Sequence, residues 1–331
     1  MLERSNTSQG EAAPLLARLA GAPISWGVCE VPGWGRILPP EVVLADMRSL
    51  GLTATELGPD GWLPTEAGAL RELLDAHGLR LVAGFVPLVL HDPGRAAAAR
   101  STALRVARLL AEAGGQVLVS AAVSSAAWAP RIALGPKEWR QLAETLAAVE
   151  EIAGDHGLAH ALHPHIGTLV ETAVDLERVA DVSDVRWCLD TGHLAVARAD
   201  PVRLAREAGD RVAHVHLKDV AVSLAAKVRS GALSLREATR RGLFRPLGRG
   251  DGRVGEVVRA LEDSGYAGWY VLEQDVVLTE SDAVEETAAR SVEASLEYVR
   301  KLASELLASE ARHGGKSLRS QDAGREHEEV A

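Results

Sequence analysis

Four short apolar runs in this chain each end in side chains that bind metals or move protons. They read Ala161-Leu-His163-Pro-His165, Trp187-Cys-Leu-Asp190-Thr-Gly-His193, His214-Val-His216-Leu-Lys218-Asp219 and Tyr270-Val-Leu-Glu273-Gln-Asp275. Imidazoles mixed with carboxylates favour a divalent ion such as Mn2+, Co2+, Fe2+ or Zn2+ over Ca2+ or Mg2+. Such an ion polarises a ketone, and a neighbouring base and acid can then take an α-proton and release a β-hydroxyl. Alternation along the third run puts His214, His216 and Lys218 on one face, where three titratable groups are costly unless paired or bound to an ion. Plainer alternatives stand beside this reading. His214 is open to being a satisfied structural histidine, and Asp190 to being the N-cap of a following helix.

Each run is too short for a helix and stops at Gly, Pro or charge, the pattern of a buried parallel strand. Eight such strands are expected, over 22–28, 53–57, 80–87, 116–123, 158–162, 185–189, 212–217 and 269–272. Amphipathic stretches alternate with them. The first opens at Pro39-Pro40, and the others cover 65–76, 95–112, 137–155, 173–179, 201–208 and 254–264. A closing helix is expected from Ser281, a cap followed by Glu285, to about Ser309. Eight βα units in one file, with no break in composition, predict a (β/α)8 TIM barrel over residues 21–310. In such barrels the chemistry sits at the C-terminal strand ends, where all four runs stop. Residues 1–20 read as a flexible leader and 311–331 as a disordered polar tail. The insertion at 220–252, with Arg236, Arg240, Arg241, Arg245 and Arg249, has the length of a lid or binding loop.

The remaining candidates lie near the same mouth. Trp26, Trp34 and Trp62 fall on loops above the first two strands in a chain with only 4% aromatic residues, which suggests a stacking wall for a sugar or polyol. Core filling is the alternative for Trp26. Glu30 and Glu56 end the first two strand regions. Ser124-Ser125 has no nucleophile elbow around it, and the glycine-rich stretch 248–255 lacks the lysine and preceding strand of a phosphate loop.

Composition narrows the function classes. A net charge of −10 argues against a nucleic-acid surface. The two cysteines give no disulfide framework and no cysteine-type zinc site. The longest apolar run, 79–90, is interrupted by Arg80, Gly84 and Pro87 and falls short of the ~20 residues of a membrane helix. A soluble, cytoplasmic protein without membrane or nucleic-acid partners is expected, and a homo-oligomer is compatible with it.

At these motifs the sequence resembles the xylose-isomerase-like barrel superfamily and, within it, the inosose (2-keto-myo-inositol) dehydratases. The resemblance runs from about Ala22 to Asp275. It rests on the ordered stretches 23–27, 55–61, 163–168 with Glu171-Thr172, 190–193, 214–219, 242–248 and 268–275. It implies a metal-dependent hydro-lyase of inositol catabolism that takes water from a cyclic polyol ketone to give a trihydroxycyclohexane-dione. The implied cofactor is a divalent ion, Mn2+ or Co2+, held by Asp190, His216, Glu273 and a strand-five group. Many relatives carry glutamate at that last position; this chain has His163, so the fourth ligand lies among His163, His165 and Glu171. Acid and base are left among His193, Lys218, His165, Glu56 and Glu30, with Lys218 read as oxyanion stabiliser and His193 as proton shuttle. Trp26, Glu30, Trp62, His214 and Arg245 are the candidate substrate contacts. Competing readings are a sugar isomerase or epimerase on the same barrel, a nuclease of the superfamily, and a metal-free polyol-binding protein.

Overall fold

The computed structural model describes residues 14–279 and 284–325. Eight parallel strands close into a barrel: β1 (Leu19–Gly21), β2 (Ala54–Glu56), β3 (Arg80–Leu88), β4 (Val117–Ala122), β5 (Ala159–Leu162), β6 (Arg186–Asp190), β7 (Val212–Leu217) and β10 (Tyr270–Leu272). Each pairs with its neighbour in the chain, and β1 closes the ring against β10 through Leu19–Tyr270, Ala20–Val271 and Gly21–Leu272. Between the strands run α1 (Pro40–Ser49), α2 (Ala67–Ala76), α3 (Ala96–Ala113), α4 (Pro136–Asp155), α5 (Ala173–Val182), α7 (Pro201–Ala208) and α10 (Val254–Asp263). A short α6 (Thr191–Val196) stands directly on the end of β6. The expected (β/α)8 barrel is the observed fold.

Local chemistry sets the ends of these helices. α1 starts at Pro40, whose fixed φ suits a first helical position, and buries Val43, Leu44 and Met47. α5 opens on a reciprocal capping box between Thr172 and Asp175. Strand alternation then sorts the barrel lining by depth. Ala54, Ala161, Cys188 and Val271 belong to one buried interior cluster, and two residues later on the same strands stand Glu56, His163, Asp190 and Glu273. Small apolar groups therefore fill the lower barrel, and titratable groups crown it.

The insertion is ordered. β8 (Asp219–Val220) pairs antiparallel with β9 (Phe244–Arg245), and α8 (Val222–Arg229) and α9 (Leu235–Arg240) pack on them through Ala225, Ala238, Leu243 and Phe244. Its anchor is Asp219, 2% exposed, whose carboxylate accepts from the amides of Val220, Gly248, Gly250 and Gly252 at 2.8–3.0 Å.

Two boundaries depart from the sequence reading. The first strand lies at Leu19–Gly21, not over 22–28, because Pro23 starts a 3-10 turn through Trp26 that Gly27 ends at φ 80°. Leu15, Arg18 and Leu19 are buried, so residues 14–20 are part of the barrel and not of a leader. At the other end α11 (Val284–Arg325) continues through 311–325, where composition predicts disorder. That stretch has a single large apolar residue, Leu318, but its Ala, Arg, Lys and Gln are strong helix formers. Ser281 and residues 326–331 lie outside the described residues. No helix among the described residues is long and apolar enough to cross a membrane.

Candidate metal centre and active-site cavity

Asp190 fills the N-cap role its sequence allowed through one oxygen only. Its Oδ1 caps α6, accepting from the amides of Gly192 at 2.7 Å and His193 at 2.8 Å. Its Oδ2 is buried without a hydrogen-bond partner. Register sets Asp190 beside His216, and Thr191 ties α6 to the end of β7 by donating to the Lys218 carbonyl and accepting from its amide. Gly192 is required here, since a Cβ would lie 2.5 Å from Lys218 Cγ.

His216 is fixed from behind. Its Nε2 donates to Glu56 Oε1 at 3.0 Å, and His214 Nε2 donates to the same oxygen at 2.8 Å. This turns His216 Nδ1 toward Glu273 Oε2 at 2.7 Å and Asp190 Oδ2 at 3.7 Å. Burial opposes a charged His216, but Cys188, Glu273 and Glu56 together hold its pKa well above the ordinary histidine value. Burial likewise opposes an ionised Glu273, yet His216 and Lys218 bring it down to about 2.

Lys218 is completely buried. Its ammonium lies 2.6 Å from Asp275 Oδ1, 2.7 Å from Glu273 Oε1 and 3.4 Å from Asp190 Oδ2. Despite burial, these three carboxylates keep its pKa well above the ordinary value. Lys218 also donates to His193 Nε2 at 2.9 Å. Burial, with His165 and Lys218 beside it, holds His193 well below the usual imidazole range, so that ring is neutral.

The two strand-five histidines have assigned tautomers. His163 Nδ1 donates to the Pro164 carbonyl at 2.8 Å and His165 Nδ1 to that of Ile166 at 2.7 Å, leaving both Nε2 atoms as acceptors. His163 Nε2 lies 3.6 Å from Asp190 Oδ2. A histidine that spends one N–H on a carbonyl and keeps the other nitrogen bare is arranged as a metal ligand. Burial, then His163 and Lys218, push His165 down to about 3.

These donors fit a divalent ion. Ligand atoms from Asp190, His216 and Glu273 lie within 4.8 Å of one another, and so do those of His163, Asp190 and His193. The unpartnered, buried Asp190 Oδ2 and His216 Nδ1 stand where the two groups meet. His163, Asp190, His216 and Glu273 could hold such an ion with two nitrogens and two carboxylates. Glu171 could not join them, because its Oε2 accepts from the Gly167 amide at 2.9 Å and pairs with Arg131 at 3.4 Å.

Above the floor opens a cavity of about 380 Å3, lined on its polar side by Glu30, Glu56, His163, His165, His216, Glu273 and Asp275. Phe85, Trp34 and Trp128 supply its aromatic walls, and Arg236 reaches it from α9. Several sequence assignments change here. Trp26 is fully buried and donates to Asp46 at 3.0 Å, which makes it core. Trp62 donates to the Leu38 carbonyl outside the cavity lining. His214 lies beneath the floor on Glu56. Arg245 is exposed and folds back onto the Gly242 carbonyl, so the insertion presents Arg236 instead. Lys218 and His193 are buried and are not among the residues that line the cavity. Asp275, Phe85 and Trp128 were missed as site residues. Phe85 was legible from inward alternation along its strand, and Trp128 from its place on a loop after a barrel strand.

The chain matches the family model described as xylose isomerase-like TIM barrel over residues 44–305. It is 31% identical over 307 residues to an inosose dehydratase of Geobacillus kaustophilus (strain HTA426), covering 89% of this chain and 97% of that one. It is 32% identical to the rhizopine catabolism protein MocC of Rhizobium meliloti, covering 80% and 84% of the two chains. A solved xylose isomerase domain protein from Alicyclobacillus acidocaldarius superimposes with a TM-score of 0.63 at 22% identity, over 86% of this chain and 99% of that one.

Proposed function

We propose that this chain, which belongs to the xylose isomerase-like TIM-barrel family, is a metal-dependent hydro-lyase that dehydrates 2-keto-myo-inositol to a trihydroxycyclohexane-dione. The observation that carries this reading is Asp190, whose ligand atoms group with those of His216 and Glu273 and with those of His163 and His193, beside a cavity with polar floor and aromatic walls. A volume near 380 Å3 lies in the range of small-ligand sites, about 300–1,000 Å3. The substrate class is supported by the inosose dehydratase of Geobacillus kaustophilus, which the chain covers almost end to end.

Mn2+ or Co2+ is the ion assigned to the four ligands, and when bound it supplies Lewis acidity to a ketone oxygen and its neighbouring hydroxyl. The chain's own groups do the rest. His165, neutral and with Nδ1 committed to a carbonyl, offers Nε2 to the α-proton. Lys218 acts on Asp190, Glu273 and Asp275, keeping their carboxylates in place and charged where the floor needs them. Phe85, Trp34 and Trp128 cover the C–H faces of a ring and keep water from the reacting carbons. Incubating Mn2+-loaded protein with 2-keto-myo-inositol should produce the ultraviolet absorbance of a conjugated dione. No absorbance with Mn2+ or Co2+ at any neutral pH would contradict the reading.

A further inference from the structure

Glu30 is the cavity carboxylate that forms no ion pair among the described residues. In the closed ring of strands, β1 and β5 lie diametrically opposite one another. Glu30 comes from the segment after β1 and His165 from the segment after β5, and both line the cavity. Glu30 and His165 thus enter the cavity from segments that follow opposite strands of the ring. The cations nearby are committed elsewhere. Lys218 is held by three carboxylates, and Arg236 donates through Nε to the Trp34 carbonyl at 2.6 Å.

The other cavity carboxylates are each held by a histidine or lysine partner. Glu56 Oε1 accepts from two histidines, Glu273 pairs with His216 and Lys218, and Asp275 lies on the Lys218 ammonium. We propose that Glu30 is the general acid of the elimination, the group that protonates the departing β-hydroxyl while His165 takes the α-proton. The assignment rests on the hydro-lyase reading above. In the step, the α C–H bond breaks and its proton goes to His165 Nε2. The freed electron pair forms the carbon–carbon double bond as the β C–O bond breaks. The hydroxyl leaves as water with the proton of Glu30, and solvent exchange returns both side chains to their starting states.

The surroundings of Glu30 suit an acid at neutral pH. Facing it are Glu273 and Asp275 beyond β10, Lys218 beyond β7 and Cys29 on its own segment, with Arg236 lining the same cavity from α9. Burial first, and then Glu273 and Asp275, push its carboxyl up to about 7 against the pull of its own amide and Lys218. A carboxyl that keeps its proton to that pH is matched to leaving-group protonation.

The test separates the two half-reactions in deuterated solvent. Metal-loaded Glu30→Gln should lose water elimination by about 100-fold or more. It should still exchange the α-proton of 2-keto-myo-inositol within a few-fold of wild type, and Glu30→Asp should recover part of the loss. Wild-type elimination should fall on the alkaline side as Glu30 gives up its proton, since the acid works only while protonated, and Glu30→Gln should lack that limb. Elimination retained by Glu30→Gln, or exchange and elimination lost together with metal still bound, would overturn the assignment. Absence of elimination by the wild type would instead bring down the hydro-lyase reading, and this assignment with it.

Discussion

Glu56 and His216 meet through a single oxygen, with Glu56 Oε1 3.0 Å from His216 Nε2. The contact fixes which imidazole nitrogen carries the proton, and so which one faces Asp190 and Glu273. His214 donates to the same oxygen and braces the carboxylate from below. Glu56 is thereby placed to orient His216 toward an ion.

Replacing Glu56 by Gln keeps the shape and removes the charge. Outer partners of metal-bound histidines are worth about 10- to 100-fold in affinity. Glu56→Gln should therefore weaken Mn2+ binding by about that factor. Competition with a chelator of known strength measures it, and unchanged affinity would mean that His216 is not oriented through Glu56.

The fourth ligand is assigned by what each candidate touches. His163 has a bare Nε2 beside Asp190, whereas Glu171 is held by Arg131 and the Gly167 amide. Elemental analysis of the purified variants should find His163→Ala depleted of metal and Glu171→Gln loaded like wild type. The opposite pattern would transfer the role to Glu171.

Lys218 counters three carboxylates in a site closed to solvent. Removing one partner of a buried ionic network costs about 3–5 kcal/mol. Lys218→Met should melt well below wild type in chelator, and added Mn2+ should restore part of the difference by supplying positive charge to the same carboxylates. A variant as stable as wild type in both conditions would show that the network contributes nothing.

Asp219 anchors the insertion through four backbone amides. Hydrogen bonds to a charged group contribute about 1.5–3 kcal/mol each. Asp219→Ala should open 221–252 to trypsin, which has Lys227, Arg229, Arg236 and Arg240 to cut. Digestion followed by mass spectrometry reads the sites, and cleavage no faster than wild type would contradict the anchor.

Much of this architecture was legible because period-two alternation and strand-end punctuation are local signals. His214, His216 and Lys218 share the inner face of β7 as alternation requires, and Asp190 and Glu273 crown their strands. What alternation does not encode is depth and side-chain partnership. It could not separate His216 on the cavity floor from His214 beneath it, or show that Lys218 is spent on carboxylates. Trp26 was misplaced because three buried residues, Leu19–Gly21, make too short a run to be distinguished from the Ala-rich stretch before them. Arg236 was indistinguishable from Arg245 in the sequence, since only the packing of α9 decides which of them turns toward the cavity.

The central claim is loss of water, and the mass of the product tests it most directly. Protein loaded with Mn2+ should convert 2-keto-myo-inositol in deuterated solvent to a product that has lost one oxygen as water and carries solvent deuterium at the carbon that held it. A product that has kept the oxygen of the β-hydroxyl and gained only solvent deuterium at the α-carbon would contradict the account and make this barrel an isomerase or epimerase.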